Sequence, residues 1–337
     1  MNRRLPHWLG MVGIVTAAFG CDNVSFGGMS VSLEGPPRDS LDTEGGTSVI
    51  DPDAGPTRFR YGPLLYAGAR QGDSVLVVPV GELVEGRLEP LPAGEAGVRL
   101  AEQILEERLM PSRKLTLFQQ GGRVGTLTVS SALGTSSEYC SPRAQAIGTA
   151  ELIPSASGSA RFLALEQSVG EERPYGIFQT SSVERPHRIG IQNLGGEALN
   201  DLRAQWPGTL QNIREDLQVL RISDDQNPSI IGTFLFQDQM AVGPAPDPAY
   251  SLMILGELQG VRFTRAFTWY RRVGDEGKGA PRFFSKLDWD GDGEEELLLE
   301  VFGAESRWFA ALEKEGGSWT LAFQDPCGAP GDGPGPS

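Results

Sequence analysis

Histidine is nearly missing from this chain, with His7 and His187 the only two in 337 residues. That excludes His-rich zinc sites. Three cysteines are too few for a zinc site made of four thiolates or for a disulfide-dense scaffold. No GxSxG elbow, P-loop or dinucleotide glycine pattern occurs, so the common signatures of hydrolases and nucleotide enzymes are absent. Basic residues are also short: 29 Lys and Arg stand against 44 Asp and Glu, for a formal charge of −15. Nucleic-acid partners are excluded on that ground, because binding phosphates needs a basic face. An acidic body favours solubility and divalent cations instead.

What the chain does have is glycine and proline, 44 and 24 of them, beside 39% hydrophobic residues. Many turns and many short strands follow. Apolar runs such as YGPLLYAGA, SVLVVPVGEL, GRLEPLP, ARFLALEQ, YGIFQ, RIGIQNL, LQVLRIS and SIIGTFLFQ alternate with turn residues. KLTLFQQGGRVGTLTVSS reads as a hairpin turning at Gly121 and Gly122. Two segments break the rhythm. AGVRLAEQILEERLMP sets Val98, Ala101, Leu105 and Leu109 at helical spacing and stops before Pro111, and GEALNDLRAQWP allows two helical turns before Pro207. The expected class is mainly β, α+β with few helices, built of antiparallel strands and hairpins; propeller-like and sandwich arrangements are both open.

The N-terminal residues MNRRLPHWLGMVGIVTAAFGC combine Arg3 and Arg4, an apolar stretch from Leu9 to Phe19, and small residues before a cysteine. This is the pattern of an export signal, too short to span a bilayer comfortably. Its end, AAFGC, resembles the lipobox of bacterial lipoproteins. The resemblance implies that residues 1–20 are removed and that Cys21 carries lipid. Two acyl chains would give stable membrane attachment in a bacterial cell envelope. Asp22 after the cysteine implies inner-membrane retention in some bacteria, and the choice of inner or outer membrane stays open. Residues 21–56, poor in large apolar side chains, read as a flexible tether; 57–327 as the β body; 328–337 as a disordered tail. Export implies an oxidising compartment, and with Cys21 lipidated the remaining pair is Cys140 and Cys327, expected to form a disulfide.

One stretch carries chemistry. KLDWDGDGEEELLLEVFG (286–303) places Asp288, Asp290 and Asp292 at positions 1, 3 and 5 of a loop, Gly293 at 6, Glu294 at 7 and Glu296 at 9. Alternate carboxylates in a curled loop converge on one point, and an all-oxygen shell suits Ca2+. An EF-hand needs a glutamate at position 12, which here is Leu299. The loop resembles the calcium loop of FG-GAP and VCBS-type repeats, where such a run leads straight into a hydrophobic strand. That likeness implies side-chain ligation by Asp288, Asp290, Asp292 and Glu296 and a carbonyl from Glu294, with the calcium structural. The family normally has Asp where Glu296 stands, and several loops per chain rather than one. The likeness covers residues 286–326, the loop and the hairpin behind it.

The other candidates are plainer. His187, between Pro186 and Arg188, reads as an exposed loop residue. In FTWYRR (267–272), strand alternation puts Phe267, Trp269 and Arg271 on one face and Thr268, Tyr270 and Arg272 on the other. The functional expectation is a lipid-anchored, non-catalytic envelope protein with a calcium-stabilised β module and a protein or glycan partner. The alternative is an envelope hydrolase using paired carboxylates, favoured by a pocket with two acids away from residues 288–296.

Overall fold

The structure, a computed structural model, describes residues 25–26, 29–30, 58–170, 175–222 and 227–328; the expected signal segment, Cys21, most of the tether and nearly all of the tail lie outside them. The chain divides into two units at Pro56 and Thr57. In the first, β1 (Ser25–Phe26) pairs antiparallel with β2 (Met29–Ser30). The second, Thr57–Ser337, holds the remaining strands and the helices.

Its N-terminal half is a barrel. Strands β3 (Leu64–Gln71), β4 (Ser74–Val84), β5 (Arg87–Pro90), β6 (Lys114–Gln119), β7 (Gly122–Ser136), β8 (Arg143–Leu152) and β9 (Arg161–Glu166) form one sheet in the order β3-β9-β6-β7-β8-β4-β5. Because β3 also pairs with β4, six strands close on themselves and β5 is left as an edge. Alternation follows: Leu64, Tyr66, Val77, Leu115, Leu117, Leu127, Ala146 and Phe162 fill the interior. Helix α1 (Gly94–Glu107) joins that interior through Leu100, Ala101 and Ile104. The expected helix is present, but its buried face differs: Val98 is exposed, and Leu109 is buried just beyond the helix end.

The C-terminal half is two four-stranded meanders. One runs β10 (Arg214–Leu220), β11 (Ser229–Phe236), β12 (Tyr250–Gln259), β13 (Arg262–Arg272); the other β14 (Ala280–Leu287), β15 (Glu296–Phe302), β16 (Arg307–Glu315), β17 (Ser318–Gln324). Both are antiparallel throughout, so the mainly β reading holds. The layers stack by side-chain parity. On β15, Leu298 belongs to the core shared with the barrel's Leu65, Val80 and Leu163, while Leu297, Leu299 and Val301 belong to the core shared with Ile231, Met253 and Leu255 of the other meander. A strand buried on both faces reads as an unbroken apolar run, which is why ELLLEVF shows no alternation.

The far face of the β10–β13 sheet is covered by α3 (Arg185–Asp201), where Ile191, Leu194, Ala198 and Leu199 pack on Ile230, Phe234 and Ile254. RIGIQNL, expected as a strand, is therefore helix, and the helix ends at Asp201 rather than at Pro207. Its glycines misled the reading for a reason: a Cβ on Gly190 would lie 2.6 Å from the Phe263 ring, and one on Gly195 3.0 Å from Phe234, so helix and sheet approach at glycine distance. His187 is correspondingly in the helix's first turn, where its Nδ1 accepts the Glu184 N–H at 3.0 Å in a capping box. YGIFQ forms only an isolated bridge between Gly122 and Gly176. The β6–β7 turn falls one residue early, on Gln120 (φ 49°) and Gly121 (φ 78°). Short helices α2 (Gln167–Gly170) and α4 (Val273–Glu276) complete the body. No helix among the described residues is long and apolar enough to cross a membrane.

Candidate metal centre

The acidic loop joins β14 to β15, and two glycines let it curl: Gly291 at φ 84° and Gly293 at φ 95°. Aspartate side chains accept from loop N–H groups. Asp288 takes Gly291 at 2.5 Å and Gly293 at 3.1 Å, Asp290 takes Asp292 at 3.0 Å, and Asp292 takes Glu294 at 2.7 Å. The result is convergence. One carboxylate oxygen each from Asp288, Asp290 and Glu296 lie within 4.8 Å of one another. Asp292 is not part of that trio and instead accepts the Glu294 N–H; the contribution expected of Glu294 is its backbone carbonyl, not its carboxylate. All three donors are hard oxygens, the set that suits Ca2+ or Mg2+ and not a soft metal.

Electrostatics make the centre uncomfortable without a cation. Glu296 opens β15 on the side facing the barrel and is 2% exposed. Burial pushes its carboxyl up to about 9; Asp290 and Asp288 push the same way, and the Trp289 N–H donating at 2.9 Å opposes them. Asp290 is also raised, first by burial and further by its acidic neighbours. A divalent ion at the point of convergence would invert this balance.

The loop is also docked. Trp289, its second residue, is 3% exposed and sits among Val78, Val80, Leu88 and Phe323, so the loop is pinned to the barrel through an indole. The β4–β5 turn closes over it: Gly86, at φ 86°, would place a Cβ 2.9 Å from the Asp290 Cβ. Beside the loop, buried Lys286 pairs with Glu295, and Gly121 of the β6–β7 turn donates to the Lys286 carbonyl at 2.9 Å. Barrel turns thus hold the loop on two sides. None of this was visible in the acidic pattern itself, since Gly86 and Gly121 are remote in sequence.

The other expected sites resolve as follows. Cys140 and Cys327 form a disulfide, Cα to Cα 6.2 Å, across a sequence separation of 187 residues. In FTWYRR the expected parity holds, and Trp269 and Arg271 turn inward. Arg271 donates to the Gly277 and Gly328 carbonyls and lies over the Trp308 ring, while Trp269 donates to the Gly279 carbonyl. These bonds hold Trp269 and Arg271 in the core. Sequence reading missed Arg143. It is fully buried, pairs with fully buried Asp325, and lies 5.4 and 5.2 Å from the ring centroids of Tyr139 and Phe309, which stack on each other.

No protein-family model matches the chain, and no curated protein or solved structure does either. The site has to be read from its own chemistry.

Proposed function

We propose that the chain is a lipid-anchored cell-envelope protein, non-catalytic, whose β body is braced by one structural Ca2+ and has a binding or structural role toward a protein or glycan partner. The observation that supports the calcium reading is the convergence of Asp288, Asp290 and Glu296 in a loop wedged against the barrel. A cation there neutralises a buried carboxylate and sets the start of β15, which lies between the barrel and the other meander. Its role is to fix the stacking of layers.

Stability should accordingly rise with free Ca2+ as RT ln(1 + [Ca2+]/Kd), about 2.7 kcal/mol at a hundredfold excess over Kd. Asp290→Asn should remove most of that dependence while leaving the calcium-free protein equally or slightly more stable, because one repelling charge is gone. Thermal melts with Ca2+ and with chelator, alongside calorimetric titration, measure both. A melting temperature indifferent to either, with no bound metal, reduces the stretch to an acidic turn.

The anchoring reading stands on the AAFGC sequence ending in Cys21. Expressed in its host, Cys21→Ser should lose acylation and either retain the leader or leave the membrane fraction; a normally acylated, membrane-bound variant would sink the reading. A second functional reading, an envelope hydrolase with paired carboxylates, draws on one feature: Glu107 and Glu166 both line a cleft away from the acidic loop.

A further inference from the structure

That cleft, of about 590 Å³, opens where α1 ends, β6 begins and β9 runs out. Its charge is unlike that of the whole. In a chain of formal charge −15, its lining holds three cations, Arg108, Arg113 and Lys114, against two acids, Glu107 and Glu166. Arg113 and Lys114 are exposed at the rim, and Lys114 makes no ion pair among the described residues. Arg108 and Glu166 bridge at 2.5 Å deeper in.

The floor is polar and unfinished. Glu166 uses Oε2 for Arg108, but its Oε1 is buried with no hydrogen-bond partner. The hydroxyl of Tyr66, wholly buried in the barrel and outside the cleft lining, also has none. Buried polar atoms left this way cost roughly 1–3 kcal/mol each unless something completes them. Burial pushes the Glu166 carboxyl up against the opposing charge and hydrogen bond of Arg108. Tyr61 stands to the side, its hydroxyl donating to Glu107 at 3.0 Å and its ring 5.2 Å from the Arg108 guanidinium.

A ligand that answers all of this carries an anion for the rim and hydroxyl donors for the floor. We propose that the cleft binds an acidic saccharide, its carboxylate paired with Arg113 and Lys114 and its hydroxyls donating to the Glu166 and Glu107 carboxylates. The proposal rests on the reading of the protein as a glycan-binding envelope protein, and it names the place and the sugar class. Neutral sugars lack the rim partner, and a bare inorganic anion lacks the donors.

The test is calorimetric titration of the full chain in detergent with tri-galacturonate, maltotriose and inorganic phosphate, each with Ca2+ and with chelator. Tri-galacturonate should bind and the other two should not. Arg113→Ala and Lys114→Ala, both at exposed positions, should each weaken binding on the order of tenfold. Glu166→Gln should weaken it too, and folding of every variant is checked by its unperturbed melt. Binding that persists in chelator and in Asp290→Asn separates the cleft from the calcium loop, so the two readings fail independently. Equal binding of maltotriose or phosphate, no binding at all, or binding insensitive to Arg113 and Lys114 overturns the proposal. Shortening of the trisaccharide would support the site and overturn the non-catalytic reading, with Glu107 and Glu166 as the carboxylate pair.

Discussion

Arg143→Met should destabilise the body by about 3–5 kcal/mol, the cost of stranding one member of a buried ion pair. Both partners are fully buried, Arg143 on β8 and Asp325 just after β17. The arginine also donates to the Pro79 and Val80 carbonyls of β4, and Asp325 accepts the Phe309 N–H at 2.9 Å. One guanidinium therefore ties two barrel strands to the β14–β17 meander. Replacing both partners, Arg143→Met with Asp325→Leu, removes the stranded charge but leaves the Pro79 and Val80 carbonyls short of a donor and Phe309 N–H short of an acceptor. The double variant should lie between wild type and the single variant, and below the sum of the two single losses. Urea unfolding of all four proteins reads this. A loss under about 1 kcal/mol in Arg143→Met would mean that water reaches the pair and that the layers are held by apolar contacts alone.

That arginine also shows where sequence reading stops. Strand rhythm exposed the mainly β class because apolar runs and turn glycines are local signals, and the acidic loop was legible because its donors, Asp288 to Glu296, are close neighbours in the chain. Partnership across 182 residues, as between Arg143 and Asp325, leaves no local trace. The same holds for Gly86, whose role depends on which layer faces which. Barrel closure was hidden for a related reason: it is one pairing, β3 with β4, added to strands whose alternation would look the same in an open sheet. Helix α3 was misread because its glycines serve contact with the β10–β13 sheet, and glycine in a short apolar run imitates a strand boundary. Only Cys140 and Cys327 were found at long range, by elimination among three cysteines rather than from geometry.

The second large effect concerns that bridge. Closing a loop of 187 residues restricts the unfolded chain by about 5 kcal/mol in the chain-entropy model, an upper figure because residual structure in the unfolded state already restricts it. Cys140 lies in the β7–β8 connection, where Cys140 N–H donates to the Arg307 carbonyl at 3.1 Å and Arg307 N–H to the Glu138 carbonyl at 3.0 Å; Cys327 sits in the turn after β17. The bridge and the Arg143–Asp325 pair thus fasten the same two segments, the start of β8 and the end of the described chain. Cys140→Ala with Cys327→Ala should lower stability by roughly 4–5 kcal/mol while the native layers stay packed, because Tyr139, Phe309 and the ion pair still hold the seam. Hydrogen exchange should quicken first at β16 and β17, the strands next to the lost tether, and the Ca2+ response should survive, since the acidic loop is held by Trp289 and Gly86 instead. Combining the cysteine pair with Arg143→Met should exceed the sum of the separate losses, as each tether limits the damage done by losing the other. Strict additivity would show that the two act on separate openings of the structure, and free alkylation of both cysteines in native protein would remove the bridge from the account altogether.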